Sequence, residues 1–128
     1  MAFFVYEEIV MDKKLRLRSN EDFKKVYKYG KSYWNRNLVI YFRKNELDHC
    51  RIGFTVTKKI GNSVVRNKIR RRMKEIIRKN IDNISGEYDI ILVPKKNVAD
   101  IDYKTLESAT IHILKLAGLL KDSGEKNG

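Results

Sequence analysis

Residues 58–79 carry an apolar pattern that constrains the fold more than any other feature of the sequence. Apolar side chains recur there at steps of three and four, at Val65, Ile69, Met73, Ile76 and Ile77. This spacing predicts a long amphipathic helix with one buried face. Asn62 and Ser63 precede the pattern and supply side chains that cap a helix. The fold must therefore provide an apolar surface that covers this helix.

Alternating segments predict a sheet that can provide the surface. In residues 37–43, Leu38, Ile40 and Phe42 share one face, while Tyr41 lies on the other. Residues 51–58 alternate again, with Ile52, Phe54 and Val56 expected inward. A polar connection joins the two segments, so we expect an antiparallel hairpin.

A third strand and two further helices complete the predicted elements. Residues 88–93 are apolar at both parities, as in a central strand that is covered on both faces, and Pro94 ends the run. A short helix is expected between Ser19 and Gly30. A last helix, capped by Asp102, should bury a stripe made of Tyr103, Leu106, Ile113, Leu116 and Leu120.

The predicted fold class is α+β, in a single-domain sandwich. We expect a small mixed sheet of about four strands with three helices, and a βαβ crossover that carries the basic helix. The chain of 128 residues suits one domain. We expect that domain to span residues 13–120, with a disordered extension at residues 1–12 and a disordered tail at residues 121–128.

Composition indicates a polyanion as the partner. Lys and Arg number 28 against 16 acidic residues, a formal net charge of +12.

No apolar run approaches the roughly 18 residues needed to span a bilayer. Cys50 is the only cysteine, so an internal disulfide and a thiolate metal cluster are excluded. We expect a cytoplasmic protein.

The helix that carries the apolar pattern is also the most basic part of the chain. Residues 58–79 hold ten basic residues and one acid, Glu75. Arg66, Arg70, Lys74 and Arg78 follow one another at steps of four, which predicts a stripe of one sign rather than a solvated face of paired charges. Asn67 adds no charge. It could contact a base, a sugar or a hydrated metal, or only make a local hydrogen bond in the first helical turn.

The run KKIGNSVVRNKIRRRMKE, residues 58–75, resembles the signature of the bacterial ribonuclease P protein family. The resemblance extends to SNEDFKKVYKYGKS, to the alternating strands and to the strand that ends at Pro94, and it covers roughly residues 13–120. Lys68 departs from the arginine that the family usually has, and Met73 stands at a variable position. Lys68 keeps the positive charge of the arginine, and both residues are compatible with a helix.

The resemblance implies a protein subunit of ribonuclease P, the ribonucleoprotein endoribonuclease that removes the 5′ leader of precursor tRNA. The RNA subunit would perform the hydrolysis and hold most of the Mg²⁺, with no metal ligand or catalytic residue in the protein. The implied partners are the catalytic RNA and precursor tRNA, with no membrane and no required protein partner. The implied contacts to the catalytic RNA are Lys58, Lys59, Asn62, Arg66, Asn67, Lys68, Arg70, Arg71 and Lys74.

The resemblance also implies a cleft for the leader, formed by Phe23, Tyr27, Tyr41 and Thr55. Phe23 and Tyr27 are one helical turn apart and share a face, and aromatic rings hold single-stranded RNA by stacking on its bases. We expect Gly53 and Thr55 to leave room for the strand. Taken alone, Phe23 is more typical of a core residue. Tyr33 and Trp34, in a stretch expected to be irregular, either anchor the core edge or extend the RNA face.

Two other classes of function compete with this interpretation. A ribosomal or RNA-chaperone module of similar fold would show the same charge, and only the basic helix combined with the aromatic cleft separates the two by sequence. A stand-alone nuclease would need a catalytic constellation, but His49 and His112 lie far apart in the chain and no known catalytic motif accompanies them.

Overall fold

A computed structural model describes residues 13–121 of the chain. It contains three α-helices: α1 (Asn20–Tyr29), α2 (Ser63–Asn80) and α3 (Tyr103–Leu116). Four strands accompany them: β1 (Lys31–Trp34), β2 (Leu38–Lys44), β3 (Arg51–Phe54) and β4 (Tyr88–Pro94). Short 3-10 helices lie at Lys13–Leu15, Ile81–Asn83 and Lys96–Asp100. The expected disordered extension, residues 1–12, and the expected disordered tail, residues 121–128, lie outside the described residues except for Lys121, whose N–H donates to the Asn83 carbonyl at 3.0 Å. The domain bounds stay a prediction.

The strands form one mixed sheet in the order β1-β2-β4-β3. The pairs β1-β2 and β2-β4 are antiparallel, while β3 and β4 are parallel neighbours joined through α2. The predicted α+β class, the βαβ crossover that carries the basic helix and the central position of β4 are therefore confirmed.

The predicted hairpin of β2 and β3 is wrong, because β4 lies between them. The connection from β2 to β3 passes the start of β4 and is held there by hydrogen bonds of Asn45. The Asn45 backbone N–H donates to the Glu87 carbonyl at 2.8 Å, and the Asn45 amide donates to the Asp89 carboxylate at 3.0 Å. A strand that is apolar on both faces buries the most apolar surface in the interior of a sheet. For β4 this gain is larger than the advantage that the short connection gives to direct pairing of β2 with β3.

Two strand boundaries also differ from the prediction. β3 ends at Phe54 rather than near residue 58. The Thr55 N–H still donates to the Leu92 carbonyl of β4 at 3.0 Å, and beyond it the backbone turns, where the Ile60 N–H donates to the Thr57 carbonyl at 3.1 Å. Tyr33 and Trp34 are not in an irregular stretch but form the edge strand β1, paired with Ile40 and Val39. All four residues of β1 are exposed, so a pattern of burial could not have revealed it.

The sheet is covered on both faces. On one face, α2 and α3 pack over Leu38, Ile40 and Phe42, and the core includes Ile69, Met73, Ile76 and Ile77 from α2. On the other face, α1 buries Val26 against Ile91 of β4, with Phe23, Tyr41 and Val93 around them. The predicted inward face of β2 and the apolar stripe of α2 are confirmed.

The last helix is shifted slightly from the predicted stripe. Leu106 and Ile113 are fully buried, as expected, but Leu116 is 48% exposed and the helix ends there. Ala109, Thr110 and Leu114 complete the buried face, and the Thr110 hydroxyl donates to the Leu106 carbonyl at 2.8 Å. Leu120 lies beyond the helix, in a bridge to Ile84.

A buried carboxylate ties α1, β3 and β4 together. Asp89 is 4% exposed, and Arg51 holds both of its oxygens, with Nε 2.8 Å and Nη2 2.7 Å away. The same guanidinium donates to Asp22 of α1 at 3.2 Å. The hydrogen bonds to Asp89 raise the pKa of Arg51 further above its usual value. Paired in this way, the buried charge is compatible with the core.

We expect Arg51→Met to lower the free energy of unfolding by about 3 kcal/mol, because it leaves the Asp89 carboxylate buried without its cation. Urea unfolding followed by circular dichroism measures the loss. The matched control is Arg78→Met, which breaks a surface ion pair with Glu75 and should cost less than about 1 kcal/mol. Equal losses in the two variants would show that the Asp89 site has no special role.

Candidate RNA-binding surfaces

The basic segment, residues 58–79, begins just before α2. Asn62 caps the helix, and its side-chain oxygen accepts from the Val65 N–H at 3.0 Å. No acidic residue lies in the first turn, so the positive end of the helix dipole is not neutralised there. Lys58 and Lys59 are exposed in the preceding turn. This end of the helix therefore favours an anion.

The nine residues predicted to contact the catalytic RNA all lie on this segment and fall into two sets. The exposed set is Lys58, Lys59, Asn62, Asn67, Lys68 and Arg71. The partly buried set is Arg66, Arg70 and Lys74, which flanks the apolar stripe at steps of four. Burial of the stripe fixes the orientation of the helix, and this directs both sets away from the core.

Asn67 makes the local hydrogen bond that was one of its predicted alternatives. Its side-chain oxygen accepts from Nη1 of Arg70 at 2.8 Å. This bond holds the Arg70 guanidinium beside the helix, where a planar group can bind a phosphate through two N–H donors. Asn67 thus orders a cation in this segment.

The predicted stripe of one sign does not extend to the end of α2. Arg78 donates to both carboxylate oxygens of Glu75, at 3.0 and 2.6 Å, and this interaction lowers the pKa of Glu75. Lys79 lies 2.6 Å from Glu107 of α3, which raises the pKa of the lysine. The spacing of four had missed a pair at spacing three and a pair between helices. Positive charge is thus concentrated in the first two thirds of the segment.

The four residues predicted to form a leader cleft come together on the opposite face of the sheet. The rings of Tyr27 and Tyr41 meet edge to face, with centroids 4.8 Å apart, and Phe23 lies 6.5 Å from Tyr27. The hydroxyls of Tyr27 and Thr55 are 2.8 Å apart. Tyr27 is 40% exposed, so an aromatic surface faces the solvent between α1 and the sheet.

The expected role of Gly53 is wrong, since the space above it is filled by protein. A Cβ built on Gly53 would lie 2.4 Å from Cζ of Phe23. The phenyl ring therefore rests on the strand backbone and is partly buried with Val26 and Ile91. Phe23 therefore has the predicted role of a core residue, and its ring also lines a groove; its contact with the leader stays a prediction.

That groove joins the aromatic cleft to the basic helix. It has a volume of about 190 Å³, and Phe23 shares its wall with Arg70 and Lys74 of α2. Arg16 and Arg18 line it as well, held there because the Leu17 N–H donates to the Ile52 carbonyl at 3.0 Å. We did not predict these two arginines as site residues, although the dense charge of residues 12–18 was a signal for them.

Among residues 13–121, no group of three or more His, Cys, Asp or Glu side chains could bind a metal. Within the same residues, no helix is long and apolar enough to span a bilayer. The His112 ring contacts the Asn35 amide at 3.1 Å, and the His49 ring contacts Asp48 at 2.8 Å, so the two histidines lie in separate polar contacts.

An α+β fold that sets a basic helix beside a groove and an aromatic cleft defines an RNA-binding protein. A family model described as Ribonuclease P matches residues 11–118 of the sequence. The chain therefore belongs to the ribonuclease P protein family. The resemblance of residues 58–75 to that family is confirmed.

Relatives and solved structures agree with this assignment. A Finegoldia magna protein named ribonuclease P protein component is 49% identical over 109 residues, which cover 84% of this chain and 94% of the relative. The Staphylococcus aureus RNase P protein has a TM-score of 0.79 at 36% identity, covering 84% of this chain and 98% of its own. The Thermotoga maritima RNase P protein has a TM-score of 0.73 at 36% identity, covering 78% and 94%.

We expect Gly53→Ala to destabilise the fold by roughly 1–3 kcal/mol, because the added methyl group collides with the Phe23 ring. Thermal or urea unfolding measures the loss. In a Phe23→Leu background the same substitution should cost much less, since the smaller side chain can move aside. An equal cost in both backgrounds would contradict this packing of Phe23.

Proposed function

We propose that this chain is the protein subunit of ribonuclease P and binds two RNAs through two adjoining surfaces. The part of the basic segment from Lys58 to Lys74 binds the catalytic RNA, and the cleft of Phe23, Tyr27, Tyr41 and Thr55 binds the 5′ leader of precursor tRNA. The observation that carries the proposal is the groove where Phe23 lies beside Arg70 and Lys74. At this groove the two surfaces adjoin, so the catalytic RNA on the basic helix and the leader in the cleft can lie side by side.

The basic segment suits a folded RNA partner. Its cations are spread along a rigid helix whose orientation is fixed by Ile69, Met73 and Ile76, so they present phosphate contacts at set spacings. Each neutralised phosphate adds a salt-dependent contribution to affinity. Asn67 holds Arg70 in place, which favours geometric recognition over diffuse attraction.

The aromatic cleft suits a single strand. Base stacking on exposed rings is worth roughly 1–3 kcal/mol per base and tolerates any base. The edge-to-face contact of Tyr27 with Tyr41, together with the Thr55 hydrogen bond, fixes both rings before RNA arrives. A fixed platform loses less entropy on binding. This supports recognition of leaders that differ in sequence.

In this proposal the protein contributes binding, and the catalytic RNA performs the phosphodiester hydrolysis with Mg²⁺ that the RNA mainly holds. The support is chemical: the surface is lined with ammonium and guanidinium groups, which bind phosphates and repel a bare cation. By neutralising phosphates near the cleavage site, these groups would reduce the repulsion between leader and catalytic RNA.

The role as a subunit is tested by reconstitution with a bacterial catalytic RNA and a precursor tRNA at low Mg²⁺. We expect the protein to increase 5′ cleavage, because its cations replace part of the charge neutralisation that Mg²⁺ otherwise supplies. Gel analysis of the cleaved leader measures the rate. A rate that does not change when the protein is added would refute the proposal.

The two surfaces should separate by substrate. We expect Tyr41→Ala to weaken binding of precursor tRNA to the holoenzyme roughly 5- to 150-fold, the equivalent of one lost stack, and to leave mature tRNA unaffected. Tyr41→Phe keeps the ring and should retain affinity. Binding of the two tRNAs is measured by filter retention. Equal losses for precursor and mature tRNA would contradict the cleft assignment.

The basic segment should determine the salt dependence of binding to the catalytic RNA. We expect Lys68→Gln and Arg71→Gln each to reduce the slope of log affinity against log salt by roughly 0.7 to 0.9. Arg78→Gln is the matched control and should change the slope less, because Glu75 already pairs with Arg78. Titrations at several KCl concentrations measure the slopes. Equal changes in all three variants would show that Arg78 contributes as much to RNA binding as Lys68 and Arg71, despite its pairing with Glu75.

A further inference from the structure

Trp34 lies on the same sheet face as the aromatic cleft. In the antiparallel pair of β1 and β2, Trp34 stands opposite Val39 and Ser32 stands opposite Tyr41. Residues that stand opposite each other share a face, and side chains two apart on a strand do so as well. Trp34 and Tyr41 are therefore diagonal neighbours, with Cα atoms roughly 7–8 Å apart.

Its neighbour Tyr33 lies on the opposite face. The Tyr33 ring stacks on Phe42, with centroids 5.9 Å apart and planes inclined by 14°. Tyr33 thus anchors the core edge, which was one of the two predicted roles. The same role is not available to Trp34, which is 65% exposed. A single exposed apolar residue is common on protein surfaces. Whether Trp34 belongs to a binding site therefore depends on the residues around it.

The surroundings of Trp34 continue the cleft toward the β1 edge of the sheet. Val39 and Val93 form the next pair of this face and are only partly buried. A cation stands at the end of this row, because Nζ of Lys95 donates to the Asn35 carbonyl at 2.7 Å, in the turn after Trp34. Arg36 of the same turn lines a cavity with residues of α3, on the other face of the sheet. A ring with a phosphate-binding cation next to it is the combination that holds single-stranded RNA.

The geometry points to Trp34 as a further stacking site for the leader, one that engages nucleotides farther from the cleavage site than those at Tyr27 and Tyr41. This inference rests on the proposed function. The groove with Arg70 and Lys74 lies at the β3 edge, and Trp34 lies at the β1 edge. Three inter-strand spacings of roughly 4.8 Å separate these edges, about 14 Å. A leader that starts at the groove reaches the tyrosines first and Trp34 afterwards.

The test uses the reconstituted holoenzyme and precursor tRNAs whose leaders are lengthened one nucleotide at a time. We expect affinity to rise in two stages. Tyr41→Ala should remove the first stage. Trp34→Leu should leave the first stage and remove the second, a loss of roughly 5- to 150-fold for the longest leaders. Trp34→Phe should restore the second stage, and Tyr33→Leu, on the opposite face, should retain both stages.

A second measurement reports on Trp34 directly, since it is the only tryptophan in the chain. Stacking on a base should quench its fluorescence, so leaders long enough for the second stage should quench it and shorter leaders should not. Unquenched fluorescence with every leader, or wild-type affinities for Trp34→Leu, would overturn the inference. If Tyr41→Ala still lost the first stage, the proposed leader cleft would stand. No rise with leader length in the wild-type holoenzyme would overturn both.

Discussion

The fold depends on the burial of both faces of β4. One face of this strand supplies Ile90 and Leu92 to the core under α2 and α3, and the other supplies Ile91 to the core under α1. A strand of this kind needs helices on both sides and a neighbour on both edges. The crossover through α2 places β4 beside β3 at one edge. The other edge of β4 pairs with β2, which lies earlier in the chain. Both proposed RNA surfaces follow from this need. The basic helix α2 covers one face of β4, and α1, which carries Phe23 and Tyr27, covers the other.

Much of this arrangement could be predicted from the sequence, since it depends on local patterns. The apolar steps from Val65 to Ile77, the alternation of Leu38, Ile40 and Phe42, and the cap at Asn62 each predicted their element correctly. The adjacency of strands was not a local property. Nothing between residues 44 and 50 shows that Asn45 reaches across to Glu87 and Asp89, contacts that separate β2 from β3. All residues of strand β1 are exposed, so its sequence shows no alternation of apolar and polar residues that would predict a strand.

The site was predictable to a similar degree. Residue type and helical spacing placed Phe23 with Tyr27 and the cations on α2, and the family resemblance added Tyr41 and Thr55. Three contacts between distant parts of the chain changed the details. The Phe23 ring occupies the space above Gly53, Glu107 of α3 neutralises Lys79, and Arg16 is held against β3. Each depends on how elements pack, which one-dimensional spacing does not encode. The assignment of individual residues to one RNA or the other stays a prediction.

The neutralised end of α2 gives the helix a direction. Charge that is uncompensated by acids accumulates near Lys58 and Arg66, where the helix dipole is also positive, and it declines toward the pairs of Arg78 and Lys79 with glutamates. A uniform cationic rod would attract a polyanion equally in either orientation and at any register along its axis. A graded one has a preferred docking polarity, so long-range attraction already orients the two partners before any specific contact forms. In the proposed function, Glu75 and Glu107 thereby form part of the recognition surface.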